Sequence, residues 1–231
     1  MAMAQTAARD TGTREALLEA AEELFSQRGF NAVSVREIAQ AAGANLGSIP
    51  YHFGSKENLL LEIYRAHCGP MNARRLELMG EAERISDRDE RLAAVIRGWI
   101  VPAFSSGSDR RGGGARFTRL RAILQAEGNE AAREVIARTF DDTSNALIDA
   151  IGNILPQLSR DTIVWRCHFL LGALYYALIN PERVSRLSDG AARGDDFGAA
   201  IDQLVAATAA AMKADAPAAP KGRNGDGARR Q

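Results

Sequence analysis

Three glycines, Gly29, Gly43 and Gly54, cut the first quarter of the chain into three short runs, each with the apolar spacing of one helical face. Leu17, Ala20, Ala21, Leu24 and Phe25 form the first series. It is predicted to run from Thr13, a candidate N-cap, to Arg28, whose charge suits the negative end of the helix dipole before Gly29 closes the helix. Ser34-Val35-Arg36-Glu37 is a capping box, in which the Ser side chain and a Glu three residues on satisfy each other's free backbone donors. Ile38, Ala39 and Ala42 are the inward face of this second helix, which Gly43 ends. Asn45 is the predicted N-cap of a third helix, with Leu46, Ile49 and Phe53 packed inward. Two short helices joined by a tight glycine-containing turn form a helix-turn-helix.

Beyond Gly54, Ser55 caps a helix whose inward residues are Leu59, Leu60, Ile63, Tyr64 and His67; a break is predicted at Gly69-Pro70, with resumption through Met79. Helical patterns recur over 89–104, 115–126, 130–155, 160–179 and 195–213, and no alternating strand pattern occurs. The expected architecture is all-α. A flexible arm (1–12) precedes a three-helix helix-turn-helix domain (13–54), a larger helical domain (55–213) and a disordered Ala/Pro/Gly/Arg tail (214–231). Residues 105–114, rich in Ser, Gly and Arg, and 187–194 read as mobile connections.

The 231 residues are enough to bury a core without staples, and two distant cysteines, Cys68 and Cys167, are no disulfide framework, so a reducing cytoplasm is expected. Met1–Asp10 lacks the apolar segment of a signal peptide. The apolar stretch Phe169–Ile179 is too short to span a bilayer and reads as a buried helix, with no membrane partner. Basic and acidic residues balance at 29 each, and through Leu60 five basic side chains face seven acidic ones. Bulk charge therefore gives no support for binding nucleic acid, and any such contact must rest on local placement.

The run Thr13 to Tyr64, above all Ser34-Val35-Arg36-Glu37-Ile38-Ala39 and Gly47-Ser48-Ile49-Pro50-Tyr51-His52-Phe53-Gly54-Ser55-Lys56-Glu57, closely resembles the N-terminal domain of tetracycline-repressor (TetR) family regulators. Leu155-Pro156-Gln157-Leu158 and Trp165-Arg166-Cys167-His168-Phe169-Leu170-Leu171-Gly172-Ala173-Leu174 resemble one C-terminal subgroup of that family. The resemblance implies a homodimeric transcription factor, usually a repressor, that leaves a palindromic double-stranded DNA operator when a small-molecule effector enters the C-terminal domain.

In a helix-turn-helix the second helix enters the major groove. With one face of the third helix spent on packing, Asn45, Gly47, Ser48, Pro50, Tyr51 and His52 remain as groove-side candidates. By resemblance, Tyr51 and His52 lie at positions that contact phosphate and sugar, and Lys56, Ser34 and Arg36 at positions that contact phosphate. Pro50 is an unusual residue there: it removes a backbone donor, so the helix is expected to begin late or to be distorted.

In the larger domain Trp99, Phe104, Phe117, Phe140, Trp165, Phe169, Tyr175 and Tyr176 are candidates to line an apolar cavity, although aromatic side chains dominate ordinary cores as well. Arg121, Asn145 and His168 are candidate polar anchors for a largely apolar or aromatic ligand. Ala199, Ala200, Leu204, Ala207, Ala211 and Gly172-Ala173 offer small residues for close packing between two subunits. Enzyme signatures are missing: no nucleophile elbow, P-loop or dinucleotide fingerprint occurs, and the adjacent pairs His67-Cys68 and Cys167-His168 lack metal-ligand spacing. No cofactor or metal is expected. The competing reading is a dimeric small-molecule-binding or protein-interaction protein with weak or no specific DNA binding.

Overall fold

The computed structural model describes the backbone of residues 2–105, 114–128 and 130–215, and the side chains of these from residue 10 onward except 130–138. Residues 106–113, the core of the first expected mobile connection, and 216–231, nearly all of the expected tail, lie outside the described residues. Those described are helices joined by turns, without strands: α1 (Ala2–Arg28), α2 (Val35–Ala41), α3 (Ser48–Phe53), α4 (Lys56–Ala82), α5 (Arg88–Phe104), α6 (Gly114–Glu127), α7 (Glu130–Ile154), α8 (Arg160–Ile179), α9 (Glu182–Leu187) and α10 (Phe197–Lys213).

At the N-terminal end Leu17, Ala21 and Phe25 of α1, Ile38 and Ala39 of α2, Ile49 and Phe53 of α3, and Leu59, Leu60 and Ile63 of α4 bury one another. The larger body packs α4 against α5 and α7, with α6 reaching across to α1 and α8 lying beside α10. α4 belongs to both parts. Its first turns close the small domain, and Tyr64, Cys68, Met71, Arg75 and Met79 continue the same inward stripe into the large one.

Four local expectations are corrected. α1 starts at Ala2, so Thr13 lies inside a helix instead of capping it; the alanines at positions 2, 4, 7 and 8 are strong helix formers and no proline interrupts them. α4 runs unbroken through Gly69-Pro70, because packing on α1, α5 and α7 outweighs the backbone bond that Pro70 removes. A short helix, α9, occupies 182–187, and the following turn is tied by the Ser185 and Ser188 side chains to Gly194 and Ala192, so this connection is organised. α8, expected to be buried, leaves Val164, Trp165, Phe169 and Tyr176 largely in solvent. By length and hydropathy alone it would suffice to cross a membrane. Both cysteines are free thiols, and burial pushes each up to about 12.

Candidate functional site

The capping box forms as the sequence spells it. The Ser34 Oγ accepts the Glu37 N–H, and the Glu37 carboxylate accepts the Ser34 backbone N–H and hydroxyl. Arg28, from the end of α1, donates to the same carboxylate at 2.8 Å. These donors hold the Glu37 carboxyl down at about 2, the Ser34 side chain foremost. The start of α2 is thus fixed to the end of α1, and Arg36 is left exposed beside it.

α3 begins late. Its N-cap is Gly47, preceded by a turn in which the Ser48 N–H donates to the Asn45 carbonyl, so Asn45 is not the cap. Pro50 is therefore the third helical residue, where a backbone N–H would have no intrahelical acceptor. The proline that looked misplaced defines a helix start instead of distorting one. A second correction concerns Leu46: outside the helix it is 57% exposed, and Ile49 and Phe53 alone provide the packed face. Asn45, Gly47 and Pro50 are exposed, Ser48 is half-buried, Tyr51 projects with 75% of its surface free, and the side chain of His52, expected on the groove side, is only 7% exposed. The His52 ring meets Tyr51 edge-on and its Nε2 lies 3.5 Å from the Asp10 carboxylate of α1.

Lys56 is committed to structure. Its Nζ donates to the Phe30 carbonyl at 2.9 Å and the Val33 carbonyl at 2.8 Å, and sits 4.1 Å from the centre of the Phe30 ring. It holds the α1–α2 turn against the start of α4. An ammonium group has three donors, so at most one is left for an external phosphate.

The eleven effector candidates separate into two groups. Trp99, Phe104, Phe117, Arg121, Phe140 and Tyr175 are interior residues of α5, α6, α7 and the inner face of α8. Trp165, His168, Phe169 and Tyr176 lie on the outer face of α8, and Asn145 is exposed, accepting from Arg160. The second group shares no interior space with the first.

Arg75 was missed. It follows Met71 by four residues in the inward stripe of α4, an arginine at a core position, and that register is the signal that could have found it. Only 2% exposed, it donates from Nε to the Trp99 carbonyl at 2.9 Å and stacks 4.2 Å from the Trp99 ring. Arg121, 3% exposed, lies 3.5 Å from the Phe140 ring centre, and Arg75 approaches the same ring at 5.8 Å. Burial, and then the neighbouring Arg121, push Arg75 down to about 9. Among the described residues neither guanidinium has a carboxylate partner.

From this interior a chain of contacts leads to the small domain. Tyr64 meets Phe117 edge-on, His67 stacks on the same ring at 4.7 Å, and its Nε2 pairs with Glu22 of α1 at 2.9 Å.

A short, exposed helix on a three-helix head, joined through one long helix to a helical body with two arginines buried in an apolar core, defines a helix-turn-helix regulator. Comparison with known proteins gives its family. Residues 17–63 match "Bacterial regulatory proteins, tetR family" and residues 97–211 match "Tetracyclin repressor-like, C-terminal domain", together more than two thirds of the chain. The chain belongs to the tetR family of bacterial regulatory proteins. The transcriptional repressor KstR2 of Rhodococcus jostii is 49% identical over 55 residues, 24% of this chain and 27% of the relative. AcnR of Corynebacterium glutamicum, also a transcriptional repressor, is 36% identical over 90 residues, 39% of this chain and 42% of its own. The matched stretches thus span less than half of either relative. Their named role is not enzymatic. Among solved structures, a transcriptional regulator of Saccharomonospora viridis in complex with choline aligns with TM-score 0.57 at 22% identity, covering 83% of this chain and 92% of its own. The fatty acid degradation regulator FadR of Bacillus halodurans aligns at 0.56 and 16% identity, covering 85% and 94%. These two likenesses concern the fold.

Proposed function

We propose that the chain is a homodimeric, DNA-binding transcriptional regulator, a repressor that a small, largely apolar or aromatic effector releases from a palindromic operator. The observation that carries this reading is α3: Ile49 and Phe53 anchor it, while Tyr51, Pro50 and Gly47 face solvent. A helix so held can enter the major groove, with Gly47 allowing close backbone approach and Ser48 and Tyr51 offering hydroxyls to bases and phosphates. Arg36 and Ser34 at the start of α2 flank it. Residues 13–54 act as the DNA-binding domain and 55–213 as the effector and dimer domain. Such work belongs in the cytoplasm.

Dimerisation uses α8 and α10. Trp165, Phe169 and Tyr176 on α8 and Ala199, Ala206, Ala207 and Ala210 on α10 are exposed, and Arg166 of α8 pins the end of α10 through the Met212, Ala214 and Asp215 carbonyls. A twofold axis here would bury an apolar surface and set the spacing of two recognition helices at about 34 to 36 Å or a multiple.

Selection of bound duplexes from a random library by the purified protein, at two salt concentrations, tests the reading. An enriched inverted repeat is expected. A stable dimer that enriches nothing would favour the alternative, a dimeric small-molecule-binding protein without specific DNA binding.

A further inference from the structure

Among the described side chains, two arginines lie in the interior of the effector domain with no carboxylate beside them, and several polar groups around them have no hydrogen-bond partner. Within the described residues, Nε and Nη1 of Arg121 are fully buried without a hydrogen-bond partner, as are the Tyr64 and Tyr175 hydroxyls, the Trp99 indole N–H and the Thr118 hydroxyl. These atoms come from α4, α5, α6 and α8, and Thr118 lies one helical turn before Arg121 on the same side of α6. Tyr175 and Phe140 both present their rings to Arg121, at 5.8 and 3.5 Å.

A buried guanidinium held by aromatic rings and, for Arg75, one backbone carbonyl has lost its hydration without gaining an anion, and like charges nearby add repulsion. Here two of them share the Phe140 ring. Every free atom of the cluster named above except the ambivalent hydroxyls is a donor, and hydroxyls can donate. The arrangement is a set of donors without an acceptor.

We propose that Arg75 and Arg121, assisted by Tyr64, Tyr175, Trp99 and Thr118, form the subsite for an oxyanion headgroup, so that the effector is an amphiphilic acid. Its apolar body lies against Phe117, Phe140 and their aliphatic neighbours. This deepens the regulator reading and rests on it for the word effector. An anion between the two guanidiniums turns their repulsion into two charge-assisted pairs, so affinity comes from groups that the free protein leaves uncompensated. Because Arg121 and Tyr64 belong to α6 and α4, the helices that touch the small domain, the headgroup would be felt there.

The test is thermal unfolding of the full chain, without DNA, with decanoate and decyl phosphate as acids and decanamide and decanol as uncharged counterparts; 3-phenylpropanoate and its amide form an aromatic pair. At a probe concentration about 100 times its Kd an acid is expected to raise Tm by roughly 5 to 10 °C, with a much smaller shift for its neutral counterpart. The larger of the decanoate and decyl phosphate shifts identifies the headgroup. Arg121→Met is expected to abolish the acid shift while melting no lower than the native chain in the absence of probe, since an uncompensated buried charge has been removed. Arg75→Met repeats the test from the other helix.

Equal shifts for acids and their neutral counterparts, or an acid shift that survives both substitutions, would overturn the proposal. So would an Arg121→Met chain that melts several degrees lower unliganded, which would mark Arg121 as a packing residue. The melts do not depend on an operator. A chain that selects an inverted repeat yet shows no preference for acids keeps the regulator reading and loses the anion subsite.

Discussion

The carboxylate of Glu127, at the end of α6, accepts the backbone N–H of Phe30 at 3.0 Å, in the turn that joins α1 to α2. The neighbouring Asn31 N–H donates to the same group at 3.3 Å, and one end of α6 is thereby fastened to the helix-turn-helix. Near the other end Arg116 pairs with Glu23 of α1 at 2.8 Å. Between these two fastenings α6 carries Phe117 and Arg121 into the interior. A displacement of α6 caused by a bound effector would move α1 and the turn that Lys56 holds, and the DNA-binding unit would follow.

Glu127→Gln should therefore separate coupling from binding. The amide loses the charge that two backbone donors share, so the effector is expected to change DNA affinity by a smaller factor. Effector affinity for the free protein should stay within about twofold, because coupling and binding are distinct free energies. Titrating DNA with and without effector measures both. An unchanged ratio would remove α6 from the path.

Gly29 sits at φ +85° beside that carboxylate, and a Cβ there would meet the Glu127 side chain. Gly29→Ala combines a left-handed backbone with displacement of the clamp. A loss of about 1 to 2 kcal/mol is expected in chemical denaturation, together with the coupling defect of Glu127→Gln.

Lys56 and Tyr51 separate scaffold from contact. Lys56→Met removes two charge-assisted bonds to the Phe30 and Val33 carbonyls and should cost roughly 2 kcal/mol of stability. Tyr51→Ala, at a side chain 75% exposed, should leave Tm within about 1 °C and weaken operator binding at least tenfold. If Lys56→Met instead keeps its Tm and loses DNA, its main role is at phosphate.

The Glu37 carboxyl lies near 2 in the folded chain against an ordinary 4.5, so its contribution is complete above about 4.5 and lost as pH falls from there toward 2. The Tm deficit of Glu37→Gln should accordingly be largest at neutral pH and vanish near pH 2. A deficit that does not change with pH would mean that the capping geometry, and not the charge, stabilises α2.

The small domain was legible because its signals are local. Ser34 and Glu37 cap within three residues, and the glycines at 29, 43 and 54 each adopt the positive φ that ends a helix. The late start of α3 followed from Pro50 alone. What failed depended on distant partners: the Gly69-Pro70 break disappears because three helices support α4, and Arg75 reads as surface until the stripe around it is seen to be buried. Glu127 offers no pattern at all, since its partners are backbone donors 96 and 97 residues away. The outer face of α8 could not be separated from a core face, because apolar periodicity does not say whether its cover comes from the same chain.

That face makes the last prediction, joining assembly to DNA affinity. Trp165 and Phe169 hold their rings tilted to each other with centres 5.8 Å apart and are 58% and 64% exposed, an apolar pair that a second copy would bury. Phe169→Glu should convert a dimer to a monomer in analytical ultracentrifugation while leaving helix content intact, and operator affinity should fall steeply because each half-site is then bound alone. The native chain should also show a shallow salt dependence of DNA binding. Through Leu60 acidic side chains outnumber basic ones seven to five, and Arg28, Arg14 and Lys56 are engaged with Glu37, Glu62 and the turn carbonyls. Few phosphates per half-site can be neutralised, so the slope of log K against log salt should lie well short of about ten. A slope that steep would require a basic surface beyond the described residues.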